Sequence, residues 1–369
     1  IRPRLYYILR TQLMDQTVEP EYVIQMAKQC SKLSSIRLNH QSIVNVGTRI
    51  VPALILLSQA LKRIVFGVNP NRETPDEYSS NSPFYGLSLS QMREKLGITD
   101  GEYPNECAVE EIQCMNYFGY HRYHNIERSY IPSIRNMCPL VPKQLKKLVI
   151  TGNIPLDISL TTDLTWLSNI QVLGLIKLTE ERTMVDLLKQ CHSLRELKIE
   201  ECLGGVEEAE IIFGECPTLE TVSIMIGEDV ADSIVKIILS GKTKKLKKLK
   251  LTSSSFYQFQ TWGVRRLEEP AVLNLEELVV VGRVPNNFNM LLEHCPELKT
   301  LSCSSPIPLD NKVFDCLPQL RHLTLGLPIG TFPPSLQHLR SYRIPEAHLL
   351  ADSTTDLAEM MKALISCPN

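Results

Sequence analysis

The chain is 369 residues long, 43% hydrophobic and 22% charged, the balance of a well-packed folded chain rather than a disordered one. Its 41 acidic and 39 basic residues leave a formal charge of -2, so no global basic field points to nucleic acid. The longest fully apolar run, Ala53 to Leu57, falls far short of the roughly 20 residues a membrane span needs, and a 6% aromatic content offers no base-stacking platform.

The chain opens on Ile1 with IRPRLYYILRTQL, which lacks the continuous apolar core of a secretion signal and reads as the start of a fragment or processed product. The eleven Cys are odd in number, and most sit beside apolar positions rather than in short paired spacings. That favours reduced, buried thiols in a cytoplasmic or nuclear protein over a secreted disulfide framework.

One pattern then recurs along the chain: apolar, two variable residues, apolar, one variable residue, apolar. In order, the copies are Leu33-Ile36-Leu38, Leu61-Ile64-Phe66, Phe84-Leu87-Leu89, Val109-Ile112-Cys114, Leu145-Leu148-Ile150 and Ile170-Leu173-Leu175. Leu194-Leu197-Ile199, Leu219-Val222-Ile224, Leu246-Leu249-Leu251, Leu275-Leu278-Val280, Leu298-Leu301-Cys303 and Leu320-Leu323-Leu325 follow. The match itself is weak, since about a dozen would arise by chance. The spacing carries the signal: successive first positions lie 28, 23, 25, 36, 25, 24, 25, 27, 29, 23 and 22 residues apart, a mean of 26. This is the leucine-rich-repeat period.

Between the copies lie amphipathic runs with helical spacing: Met184-Val185-Leu187-Leu188, Ile211-Ile212-Phe213, Ile234-Val235-Ile237-Ile238 and Met290-Leu291-Leu292. Cys30, Cys191, Cys216 and Cys295 each stand three residues ahead of a first Leu, the last two as Cys-Pro, where Pro ends the helix. Each unit therefore predicts strand, loop, helix and a sharp turn into the next strand. A lone unit cannot bury its apolar face, but stacked units share one core.

These residues, with Cys295-Pro296-Glu297-Leu298-Lys299-Thr300-Leu301-Ser302-Cys303 as the clearest copy, resemble the leucine-rich-repeat superfamily. The nearest likeness is to the helix-containing, Cys-bearing repeats of F-box/leucine-rich-repeat and ribonuclease-inhibitor-like proteins. The resemblance implies an α/β solenoid, a horseshoe with a concave parallel sheet and helices on the convex side. One solenoid of about 12–14 repeats is expected over residues 1–369, truncated at both ends. An excursion is expected at 117–140 and an irregular repeat at 328–345, where Leu336-Leu339 is a degenerate pair.

No phosphate loop, dinucleotide fingerprint, zincin helix or nucleophile elbow is present, so neither catalysis nor a cofactor is expected. Gly204-Gly205 reads as a turn. His121 and His124 with Cys107 and Cys114 would be the candidate zinc set, but the spacing is not that of a zinc knuckle and Cys114 fills an inward strand position. A surface loop is expected there, and no metal.

Alternation along each strand turns the residues between the inward Leu positions outward. A protein partner is therefore expected on Lys147, Val149, Val172, Ile176, Lys198, Ser223, Lys248, Lys250, Val279, Val281, Ser302 and Thr324 of the concave face. Apolar spots around Val149-Val172-Ile176 and Val279-Val281, rimmed by polar residues, suit protein recognition, although β-branched residues also simply favour strands. The six Lys between Lys242 and Lys250 read as a solvated strand approach, with electrostatic partner contact next. The resemblance implies, more specifically, the substrate receptor of a cullin-RING ubiquitin ligase, joined to a Skp-type adaptor through an F-box. No convincing F-box is visible, since Leu5 to Leu13 is too short. A structural subunit of a large assembly and an immune-receptor or GTPase-activator repeat region are the alternatives.

Overall fold

The computed structural model describes residues 34–38, 61–68, 91, 94, 109–116, 144–151, 165–176, 187–203, 206–226, 231–253, 270–282, 284–285, 287–304, 311–326, 336 and 338–343. They belong to two compact units, Ile1–Leu194 and Arg195–Asn369.

In the first unit, apolar residues two apart in short β-branched segments give five strands: β1 (Ser35–Leu38), β2 (Arg63–Val68), β3 (Glu111–Asn116), β4 (Lys147–Thr151) and β5 (Val172–Ile176). Each pairs in parallel with the next. Ile36, Ile64, Ile112, Leu148 and Leu173 stand opposite one another in register and are all buried. The expected Phe84-Leu87-Leu89 repeat lies outside the described residues, and β2 pairs directly with β3. The expected excursion at 117–140, Gly204-Gly205, Cys107, His121 and His124 also lie outside them. Cys114 holds a strand position in β3, opposite Phe66 and Ile150.

The second unit alternates strands with helices: β6 (Glu196–Leu203), α1 (Val206–Glu215), β7 (Thr221–Ile226), α2 (Ala231–Ile237) and β8 (Lys248–Ser253). It continues with β9 (Glu277–Val281), α3 (Phe288–Glu293), β10 (Thr300–Cys303), α4 (Asn311–Asp315), β11 (His322–Leu325) and β12 (Ser341–Arg343). All six strand pairs are parallel, and one inward column runs through Leu197, Val222, Leu249, Leu278, Leu301 and Leu323. Every member is at most 1% exposed, so each contributes about 1.5–3 kcal/mol of apolar burial. Ile212 and Phe213 of α1, Ile234 and Val235 of α2, Leu291 and Leu292 of α3, and Val313 and Phe314 of α4 are buried as well, sealing that side of the strands.

Two backbone joints recur at the strand entries. The first Leu donates its N–H to the carbonyl three residues earlier: Leu194 to Cys191 (3.2 Å), Leu219 to Cys216 (3.2 Å), Leu246 to Thr243 (3.1 Å), Leu298 to Cys295 (3.1 Å) and Leu320 to Leu317 (3.1 Å). The two residues after that Leu then share one carbonyl of the preceding strand, as Glu220 and Thr221 share Arg195 O at 2.8 and 2.9 Å. Lys247 and Lys248 do the same on Glu220 O, and Arg340 and Ser341 on Arg321 O.

The last repeat is framed differently from the expected Leu336-Leu339 pair. Leu339 donates to Leu336 O at 2.9 Å and Tyr342 stands opposite Leu323. Leu339 is therefore the first position of its repeat, Tyr342 the second, and Leu336 takes the turn place held elsewhere by Cys.

Two glycines are required by backbone geometry. Gly241 (φ 79°) ends the π turn Ile238–Lys242 that extends α2, and a Cβ there would stand 2.9 Å from Ala271 Cβ. Gly282 (φ 86°) follows β9, and a Cβ would meet the Ser253 carbonyl at 2.9 Å.

Candidate functional site

With the helices sealing one side, the other side of the strands is open, and the expected partner-binding residues lie on it at regular register positions. In the first unit Lys147 stands opposite Val172, Val149 opposite Gly174 and Thr151 opposite Ile176. Lys147, Val149 and Val172 are half-buried, and the side chain of Ile176 lies outside the described residues. Val149 lies over Gly174, whose added Cβ would come within 3.0 Å of Val149 Cγ1. The apolar spot there is therefore flat.

In the second unit Lys198, Ser223, Lys250, Val279, Ser302 and Thr324 form one row across β6 to β11. Lys198 and Lys250 are exposed and the other four half-buried. Lys248 lies on the neighbouring row, while Val281, 38% exposed, sits one row further on opposite Thr252.

Sequence reasoning missed how the charges are arranged. Parallel register sets residues of equal place side by side on adjacent strands, so charges of opposite sign there meet across strands. At the strand entries of the first unit, Glu110 bridges Lys62 (3.9 Å) and Lys146 (3.5 Å). One residue later, Glu111 bridges Arg63 (3.3 Å) and Lys147 (3.0 Å). In the second unit Glu220 lies between Arg195 (3.9 Å) and Lys247 (3.6 Å), Glu277 holds Lys248 (3.1 Å), and Glu276 accepts from Lys299 at 2.7 Å. Within one strand, Lys198 pairs with Glu200 at 2.7 Å. The Lys299 hydrogen bond and charge, helped by Lys247 and Lys248, hold the Glu276 carboxyl below its ordinary value of 4.5. The available signal was the residue following each first apolar position: Lys62, Glu110 and Lys146 alternate in sign, and after the neutral Gln171 so do Arg195, Glu220, Lys247, Glu276 and Lys299, once the frame is fixed.

The Lys242 to Lys250 cluster is thereby divided. Lys247 and Lys248 belong to the ladders, while Lys250 is exposed on the open face with no ion pair to a described residue.

The turn thiols occupy the place the sequence assigns them. Cys191, Cys216 and Cys295 are buried thiols at equivalent turns, and Cys295 Sγ donates to Leu291 O at 3.0 Å. Burial, aided by Glu215, pushes the Cys216 thiol up to about 11, and burial alone pushes Cys295 up to about 12. Cys303, inside β10, is raised further by the same cause. Such thiols act as small hydrophobes. Among the described residues no His, Cys, Asp and Glu cluster could hold a metal, and no helix is long and apolar enough to cross a membrane.

Parallel strands at one residue per register place and a repeating turn, with a sealed helical side in the second unit, decide the architecture. Each unit is a leucine-rich-repeat solenoid. No family model and no curated protein matches the chain. Among solved structures it is similar to the TLR13 chain in a crystal structure of a TLR13–ssRNA13 complex, at 14% identity and a TM-score of 0.36. That match covers 85% of this chain and 50% of the other, so this chain spans about half the length of its structural neighbour. At that score the likeness adds nothing to the fold assignment, which rests on the repeat geometry.

Proposed function

We propose that this protein is a non-enzymatic recognition scaffold that binds a protein partner on the open face of its strands. One observation carries the reading: the row Lys198, Ser223, Lys250, Val279, Ser302 and Thr324 is continuous, solvent-facing and mixed in chemistry, while the opposite side of the same strands is sealed. Repeats stacked in this way offer one extended binding surface. The finer form of the proposal is the substrate receptor of a cullin-RING ubiquitin ligase, working in the cytoplasm or nucleus with a Skp-type adaptor. Its support is the likeness to F-box/leucine-rich-repeat proteins, together with the buried thiols at the repeat turns, which suit a reducing compartment.

The test is a hydrogen-exchange footprint of a co-purified partner. Protection is expected at β7 to β11, with α1 and α2 unchanged. A footprint confined to the helices rejects the open-face reading. Co-purification of a Skp-type adaptor is the separate expectation of the ligase form.

A further inference from the structure

Along the strand entries of the second unit, sign alternates from Arg195 through Glu220, Lys247 and Glu276 to Lys299. Beyond Lys299 the alternation stops. The next two residues in that row are Arg321, whose N–H bonds to Lys299 O at 2.9 Å, and Arg340, whose N–H bonds to Arg321 O at 2.7 Å. Three basic side chains thus start from adjacent strands about 4.8 Å apart, an arrangement that is destabilising without a counter-charge. The carboxylate that reaches this row, Glu276, stands at its far end on Lys299.

The neighbouring rows of β10 to β12 continue the theme. Thr300, His322 and Ser341 form one, with His322 Nδ1 and Ser341 Oγ 2.8 Å apart; Ser302, Thr324 and Arg343 form the next. Arg321, Arg340 and Arg343 are exposed, and none has an ion pair with a described residue. Four basic groups, four hydroxyls and an imidazole therefore share these rows, in which no described residue is a carboxylate.

We propose that β10 to β12 bind an acidic peptide segment of the protein partner, its Asp or Glu carboxylates seated on Arg321, Arg340 and Arg343. The proposal rests on the open-face reading above and names the chemistry of what that face receives. Guanidinium forks take carboxylates through two hydrogen bonds, and neighbouring hydroxyls donate to the same oxygens. An extended segment of about four residues crosses three strands. A nucleic acid fits less well: these rows carry no Phe, Tyr or Trp for bases to stack on, Tyr342 being in the inward column and the His322 imidazole held by Ser341, and Glu276 and Glu277 border the patch.

The experiment uses the full chain and a fluorescein-labelled oligoglutamate peptide, read by anisotropy across a salt series. The triple variant Arg321→Gln, Arg340→Gln, Arg343→Gln is expected to weaken binding by about tenfold or more at low salt. Lys242→Gln, Lys244→Gln, Lys245→Gln removes the same charge from exposed sites before β8 and is expected to change it by less than about twofold. Arg321→Glu extends the alternation, so it is expected to raise Tm by about 1–3 °C at low salt while weakening the peptide. That combination excludes misfolding as the cause of lost binding. Equal losses in the two triple variants, or tighter binding of a charge-matched oligothymidylate than of oligoglutamate, overturn the proposal. If a partner's footprint lies on the open face yet the arginine variants keep both it and oligoglutamate, the acidic segment fails alone. A footprint confined to the helices fails the parent reading instead.

Discussion

Two lysines two residues apart show how little the residue type says without its partners. Lys248 and Lys250 both point off β8, yet Lys248 lies 3.1 Å from Glu277 and Lys250 has no ion pair to a described residue. Lys248→Glu is therefore expected to destabilise by up to about 1 kcal/mol at low salt, the worth of an exposed pair. Lys250→Glu is expected to leave Tm unchanged and to slow association with an acidic partner, an effect read by stopped-flow at low and high salt. Between them, Leu249 is 1% exposed, and Leu249→Ala is expected to cost about 2–5 kcal/mol in urea unfolding. Unchanged stability there would mean that the inward frame is misplaced.

At the scale of the repeat, the turn decides what sequence could and could not show. Inward Leu residues and the Cys before them were legible because apolar burial imposes one residue class at one spacing. Leu336 was misassigned because the turn place accepts Cys, Thr243, Leu317 or Leu336 alike: the joint uses the backbone carbonyl, and the side chain has only to be small or apolar enough to bury. The charge ladders stayed hidden because they join residues more than twenty places apart, which only register brings together. The turn also ranks thiol reactivity. Cys191, Cys216 and Cys295 are buried whereas Cys316 is half-exposed, so iodoacetamide labelling of the native protein, read by mass spectrometry, is expected to reach Cys316 before those three. Early labelling of the three turn thiols would place them at the surface.

For the molecule as a whole, the ladders set how stability responds to pH and salt. The Glu276 carboxyl has its folded-state pKa lowered, so its contribution is complete above the ordinary value of 4.5 and is lost as pH falls through the lower folded value. Wild type and Glu276→Gln are therefore expected to differ in Tm near neutrality at low salt, and to converge in acid or in about 1 M salt. A difference that persists in acid would assign the effect to packing. The ladders have a second consequence. The backbone joints at Arg195, Glu220, Lys247 and Glu276 are interchangeable, each carbonyl receiving the next repeat in the same way. Excising one repeat would thus leave a sound joint but set Arg195 beside Lys247, whereas excising two would set it beside Glu276. The strand entries count repeats in twos, so gain or loss in pairs preserves the pattern of sign while a single gain or loss breaks it, a parity the backbone does not carry.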